Sequence, residues 1–369
     1  MKYTPVIFPR DGQGHNNIIE WWYFNGHVHD ASGHEYSFMD CLFKANLKKV
    51  KIPFLSKLPF HQLSGTPYVY FAHSVVSDIA KQKNYKEIQY VSMSSNDSFS
   101  RPLMYVNYID PIIAHGYVNC EIVEISPFNY HLKTKNLDLQ LQARKKPLLE
   151  GGKGFVSVCG RESYYYSLTD LTAHGTIIID SKKIAVEGKA WMDHQWADAP
   201  YRKDKWTWFC IQLNDGTDIM CVEYNSGKSK DYLVDIIDAR GRQYHSRRVL
   251  LEPGNKIWQS KKTKAKYPLE WFISIPGKKM FFNVRSIIGD QEMIYGAITY
   301  WEGPTKVSGT INGKKVTGVG FMELVGYPTD YNFPMLAGRE INNAVLKKIK
   351  KSGSYISNKF FDRFQKNSQ

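Results

Sequence analysis

From Glu20 to Tyr327 the chain alternates apolar and polar positions in runs of about six to ten residues, the two-residue period of a strand buried on one face. Turn-forming clusters separate the runs: Asp30-Ala-Ser-Gly33, Glu150-Gly-Gly152, Asn214-Asp-Gly216, Ala239-Arg-Gly241 and Asn312-Gly313. This spacing predicts an all-β protein built from antiparallel barrels or sandwiches. A helical period occurs only in the tail, where Ile341, Val345, Leu346 and Ile349 would share one face of a basic helix. Trp21-Trp22-Tyr23-Phe24 leads into a turn and the strand Glu35–Met39, and Trp206-Thr-Trp208-Phe209 leads at nearly the same distance into Asn214-Asp-Gly216 and Asp218–Val222. Each looks like the opening hairpin of a β-domain. The polar, proline-containing stretch Ala197–Lys205 is the expected junction, which gives β-domains over 1–199 and 200–338 and a basic helical tail over 339–369.

Composition adds to this in three places. Aromatic residues make up 14% of the 369, a high share that suggests strands half-burying large side chains, with an apolar cavity among them as one arrangement. The formal charge of +14 is partly local, because residues 339–369 hold eight basic and two acidic side chains. A polybasic helix followed by Phe360, Phe361 and Phe364 suits transient contact with an anionic membrane surface, or a free solvated tail, and no nucleic-acid partner is expected. The insertion Lys44–His61, which mixes Lys with Leu, Ile and Phe, would suit a flap over a cavity mouth, a membrane-touching patch or a plain surface loop. Five widely spaced cysteines with no Cys-x-x-Cys pair argue against a disulfide framework or a structural zinc site. The first residues lack the apolar core of a secretory signal, so a cytoplasmic protein, free or bound peripherally to membrane, is expected.

The richest chemistry lies in Trp191-Met-Asp-His-Gln-Trp196. On a strand Trp191, Asp193 and Gln195 share one face while Met192, His194 and Trp196 share the other, so one of the two ionisable groups should point inward. A carboxyl or imidazole against indole in a dry cavity has its pKa displaced by desolvation, which is how a protein keeps an acid protonated at neutral pH. The bland alternative is a buried polar pair bracing the junction. Glu20 and Trp22 would close the end of a barrel or join the ligand surface, and Tyr165, in the run Tyr164–Tyr166, could hydrogen-bond a substrate oxygen or simply pack. His27 and His29 share a strand face as metal ligands would, with His73, His174 or His194 to complete a set, but nothing local fixes that geometry and no metal is expected. No Gly-x-Ser-x-Gly occurs, and Gly151-Gly-Lys-Gly154 fails the phosphate-loop spacing, which disfavours nucleophilic hydrolysis.

Glu20-Trp-Trp-Tyr-Phe24 with Gly26-His27, His73–Asp78, Tyr164–Leu168, Gly188–Trp196, Tyr300-Trp-Glu-Gly-Pro304 and Gly318–Tyr327 occur in the order that resembles the carotenoid 1,2-hydratase-like, lipocalin-like family, over about residues 18–330. The resemblance implies two lipocalin-like β-domains packed together. It also implies a hydratase, isomerase or cyclase working by acid–base chemistry on a hydrophobic unsaturated substrate, isoprenoid or polyketide-like, without a cofactor. In that family the segment similar to Asp193–Trp196 lines the active site and an acid on a following strand donates the proton. Here that acid would be Glu223, although Cys221-Val-Glu223 departs from the family's Tyr-x-Asp. Asp193 or Glu223 would then protonate the alkene and His194 would orient water. Trp191, Trp196, Trp208 and Tyr224 would face the cation, with Tyr165, Trp22, His73 and Glu20 completing the binding surface. A carrier of lipid or isoprenoid would use the same cavity without chemistry.

Overall fold

The computed structural model describes residues 3–46, 48–49, 68–97, 103–109, 120–199, 204–295 and 298–328. The expected tail helix and most of the Lys44–His61 insertion lie outside them. The first antiparallel sheet comprises β1 (Ile19–His29), β2 (Glu35–Asn46), β3 (Tyr68–Asp78), β4 (Lys83–Asp97), β5 (Tyr105–Ile109), β6 (Cys120–Ser126), β7 (Asn129–Lys133), β8 (Leu137–Ala143), β9 (Leu148–Leu149), β10 (Phe155–Val158), β11 (Arg161–Ile179) and β12 (Lys182–Ala197). The second comprises β13 (Lys205–Leu213), β14 (Asp218–Asn225), β15 (Lys230–Ile237), β16 (Gln243–Ser246), β17 (Leu250–Pro253), β20 (Glu270–Ile275), β21 (Met280–Ser286), β22 (Glu292–Tyr295), β23 (Ile298–Ile311) and β24 (Lys314–Val325), while β18 (Ile257–Gln259) and β19 (Lys266–Pro268) form a separate ribbon. The all-β expectation holds.

Alternation explains the first sheet's closure. In β8, Leu137, Leu139 and Leu141 are buried while Asp138, Gln140 and Gln142 face water. β11 pairs with β12 along its length and takes β8 as its other neighbour from Leu171 onward, after a register shift between Leu168 and Leu171. That pairing closes the sheet into a barrel. Gly175 permits it, because a Cβ there would lie 2.2 Å from the Asp138 carbonyl oxygen.

Three apolar clusters result. One fills the first barrel (Trp22, Phe24, Phe38, Tyr130, Tyr166, Met192) and one fills the second sheet (Phe209, Trp271, Phe282, Trp301, Met322). The third lies between them and includes Tyr23, Met39, Tyr165, Trp191, Trp208, Cys210, Tyr300 and Phe321. Strands β1 and β12 are therefore covered on both faces, and all of Trp191–His194 is buried. This modifies the expectation that one of Asp193 and His194 points inward. His194 points into the barrel and Asp193 into the contact between the sheets, so both leave water.

The two sheets repeat one plan. The first strand pairs with the second and with the last, as β1 does with β2 and β12, and β13 with β14 and β24. Tyr23 lies opposite Asp193 in the first, and Trp208 lies opposite Glu323 in the second. The repeat seen in the opening hairpins thus extends to the closing strands, where Trp191-Met-Asp193 corresponds to Phe321-Met-Glu323.

Candidate active site

Between the sheets lies a cavity of about 220 Å3, lined by Trp21, Tyr23, Phe43, Tyr165, Asp193, Gln195, Trp206, Trp208, Tyr224, Tyr300, Glu302 and Glu323, with aliphatic residues and Arg161 around them. Its chemistry comes from three buried carboxyl groups in an aromatic shell. Asp193 stands on β12 with Ser167 of β11 directly opposite. It accepts three hydrogen bonds: Tyr165 Oη donates to Oδ2 at 2.7 Å, and Ser167 Oγ and Trp191 Nε1 donate to Oδ1 at 2.6 Å each. Trp208 Nε1, from the second sheet, donates to Tyr165 Oη at 3.0 Å. Burial raises the Asp193 pKa and the donors from Ser167, Tyr165 and Trp191 hold it back, leaving it at about 6.

Across the cavity, Glu302 and Glu323 are directly opposed on β23 and β24. Two carboxylates so placed repel each other in a poorly hydrated setting. Burial, followed by the Glu323 charge, pushes Glu302 well above the usual carboxylate range. Burial likewise carries Glu323 up to about 7, against the hydrogen bond that Trp206 Nε1 donates to its Oε2 at 2.9 Å. Near neutral pH the pair holds a proton while Asp193 is largely ionised. The cavity thus has an acidic side on the second sheet and a basic side on the first, which is the arrangement that acid–base catalysis requires.

The structure sorts the residues expected from sequence. Asp193, Tyr165, Trp208 and Tyr224 line the cavity. Trp191 lies behind Asp193 as its donor, and His73 lies behind Tyr300, hydrogen-bonded through Nδ1 to that phenol and held neutral by burial with its pKa down to about 3. Glu223 does not reach the cavity. On β14 the even positions Met220, Val222 and Tyr224 face the first sheet while Cys221 packs in the second core, so Glu223 turns away to bond Lys230 Nζ at 3.0 Å and Tyr232 Oη at 3.0 Å.

His194, Glu20, Trp22 and Trp196 also lie elsewhere, at one end of the first barrel. His194 Nε2 is 2.8 Å from Glu20 Oε1, Lys44 Nζ donates to Glu20 Oε2 at 3.0 Å, and His15 Nδ1 lies 2.7 Å from Oε1. Trp22 stacks on His194 and Trp196 on His15. Burial would raise the Glu20 pKa, but Lys44, His15 and His194 outweigh it and keep the carboxylate ionised. Burial lowers His194 to about 4, so it is neutral there.

The histidines weighed as metal ligands are dispersed: His27 Nε2 is 2.9 Å from the Gly320 carbonyl, His29 is on the surface, and His174 bonds Gln140. Ligand atoms of His15, Glu20 and His194 do lie within 4.8 Å of one another. There, however, the Lys44 ammonium already balances the carboxylate, and the donor set fits an ion-pair network.

Sequence reasoning missed Glu302, Glu323, Tyr23, Tyr300, Trp206, Trp21 and Phe43. Two signals pointed to the acids. Each is a glutamate with apolar or aromatic residues two positions away on both sides, and Glu323 occupies the repeat position of Asp193.

Among curated proteins, the chain is 24% identical over 209 residues to dehydratase asqC of Emericella nidulans, covering 51% of this chain and 57% of that protein. It is 25% identical over 197 residues to kievitone hydratase of Fusarium solani subsp. phaseoli, covering 51% and 56%. The matches therefore span little more than half the length of these relatives. Among solved structures, an AttH protein from Nitrosomonas europaea superposes with a TM-score of 0.66 at 24% identity, covering 88% of this chain and 98% of that one. Kievitone hydratase from Nectria haematococca superposes with a TM-score of 0.67 at 17% identity, covering 88% and 94%. These likenesses establish a shared fold. The model of the AttH-like family matches residues 1–327, and the chain belongs to that family.

Proposed function

We propose that this protein adds water to, or removes it from, an unsaturated hydrophobic small molecule held between the two sheets. The observation that carries the reading is the opposition of Asp193 to the Glu302–Glu323 pair across one aromatic cavity. In hydration the protonated glutamate pair delivers its proton to one alkene carbon. The electron-poor carbon left behind faces the rings of Trp208, Tyr23 and Trp206, and a desolvated cation–π contact of this kind contributes about 2 kcal/mol. Water adds to that carbon as Asp193 takes a proton from it. Dehydration runs the same steps backward. A simple carrier would gain nothing from three buried acids, each of which costs stability when ionised. The relatives named hydratase and dehydratase support the reaction class.

The test incubates kievitone, and any small molecule extracted from the purified protein, in heavy-oxygen and deuterated water with wild type, Asp193→Asn and Glu302→Gln. One solvent oxygen and one carbon-bound deuterium should enter the product with wild type, and both variants should be slower by about 100-fold or more. Bound ligand that takes up neither label, with all three proteins alike, would discard the enzyme reading.

A further inference from the structure

In each hydration cycle Asp193 acquires a proton while substrate fills the cavity mouth, so a route to water on the far side of Asp193 would let turnover continue. One is present. Ser167 Oγ lies 2.6 Å from Asp193 Oδ1 and 2.7 Å from Glu150 Oε1, bridging the two carboxyl groups. Glu150 is fully buried in the turn after β9, and its Oε2 meets no ordinary donor. Beside it, across the contact between the sheets, is the carboxyl of Asp235, whose charge pushes the Glu150 pKa up. Two neighbouring buried carboxyl groups are more stable with a proton on one of them than with both ionised. Asp235 is itself 1% exposed and is fixed by the Gly151 amide at 3.0 Å. Its Oδ1 lies 2.9 Å from His245 Nδ1, directly opposite on β16, and the His245 side chain is 32% exposed. The chain of contacts therefore starts at the cavity and ends at the surface.

We propose that Ser167, Glu150, Asp235 and His245 form a proton channel connecting Asp193 to bulk water behind the cavity. The inference rests on Asp193 being the base of the proposed reaction. Each transfer moves one proton and no electrons. The proton on Asp193 passes to Ser167 Oγ as the hydroxyl proton passes to Glu150 Oε1. Glu150 releases the proton on its other oxygen to Asp235, which hands one to His245 Nδ1, and Nε2 releases one to water. Dehydration drives the sequence inward. Burial first, and then the Asp235 charge, holds Glu150 protonated, so the central link is loaded. The contacts cross the junction, since Ser167 lies in the first sheet and Glu150 in the turn after its β9, whereas Asp235 and His245 lie in the second. The channel is complete only when the two halves are docked.

The test is infrared hydrogen–deuterium exchange of the Glu150 carboxyl, identified as the protonated-acid band that Glu150→Gln removes. Wild type should exchange promptly on dilution into deuterated water, although Glu150 is shielded from solvent. His245→Gln, a surface change that keeps a hydrogen-bonding side chain, should slow exchange by about tenfold or more, and Asp235→Asn should do the same. Ser167→Ala, which cuts only the link toward the cavity, should leave Glu150 exchange prompt. Absence of a Glu150 acid band at neutral pH, or wild-type exchange in both His245→Gln and Asp235→Asn, overturns the channel. The readout needs no turnover, so its failure leaves the hydratase reading standing. Failure of label incorporation with exchange intact would instead remove the reaction and keep the conduit.

Discussion

Replacing Glu323 by Gln tests the electrostatics of the site directly. Burial, with the Asp193 charge, raises Glu323 from an ordinary 4.5 to about 7. Between those values the native state holds a proton that the unfolded chain has lost, so stability falls as pH rises through the window. The gap, at roughly 1.4 kcal/mol per pH unit, makes the native state about 3 kcal/mol less stable above pH 7 than below pH 4 through this group alone. Water entering the cavity screens part of this, so about 1–3 kcal/mol should be read. Gln has the shape of the protonated acid, can still accept from Trp206 Nε1, and cannot ionise. It also removes the charge that helps to raise Glu302, a second effect of the same sign. Urea midpoints should therefore nearly coincide for wild type and Glu323→Gln near pH 4 and diverge upward in pH, with the variant the more stable. Other titrations, including those of Glu20 and Asp11, are common to both proteins and cancel in the difference. Parallel profiles from about pH 4 to 8, or a variant weaker at high pH, would refute the buried, opposed pair.

Trp191→Phe deletes one of the three donors to Asp193, so its pKa should climb above about 6 and the rising limb of a hydration pH–rate profile should move up by about one pH unit; an unmoved limb would remove Asp193 as the base. Lys44→Met leaves Glu20 buried and charged without its ammonium and should cost about 3–5 kcal/mol in urea denaturation, most of it recovered in the double variant with Glu20→Gln. Glu223→Gln breaks only a partly exposed pair with Lys230 and should alter stability by less than about 1 kcal/mol and turnover not at all; a large loss of turnover would return the acid's role to Glu223.

The strand content, the turns and the importance of Trp191–Trp196 were legible because each is written in a local period. Asn312 and Gly313, both at positive φ, make the expected two-residue turn between β23 and β24. Asp180 and Ser181 adopt positive φ between β11 and β12 without a glycine, and no turn signal marks them. Glu223 was placed by its neighbours in a motif, whereas the side chain's direction follows from parity on β14, which only the register with the other sheet fixes. The Glu302–Glu323 pairing was hidden for a similar reason. Those residues are 21 apart in sequence, and the hairpin that opposes them is long enough that a slip of one residue would have turned both away.

The neighbouring Asp193 and His194 illustrate what a strand covered on both faces does to a sequence motif. Adjacent in the chain, they serve opposite sides of one sheet and share no hydrogen bond. His194 joins a network in which Lys44 and His15 compensate Glu20, and that network holds the end of the barrel. Asp193 faces two buried acids, one of which raises the pKa of the other, an arrangement that lowers stability above neutral pH. The odd positions of the segment therefore supply the cavity's carboxylate, which we propose as the base, and its support, and the even positions pack in the barrel core beneath it. Substitutions at Met192, His194 and Trp196 should thus appear first in denaturation, and those at Trp191, Asp193 and Gln195 first in ligand chemistry. A buried carboxylate that costs stability can persist in this strand because the strand's reverse face is anchored by ion pairs and stacked rings that ionisation in the cavity does not disturb.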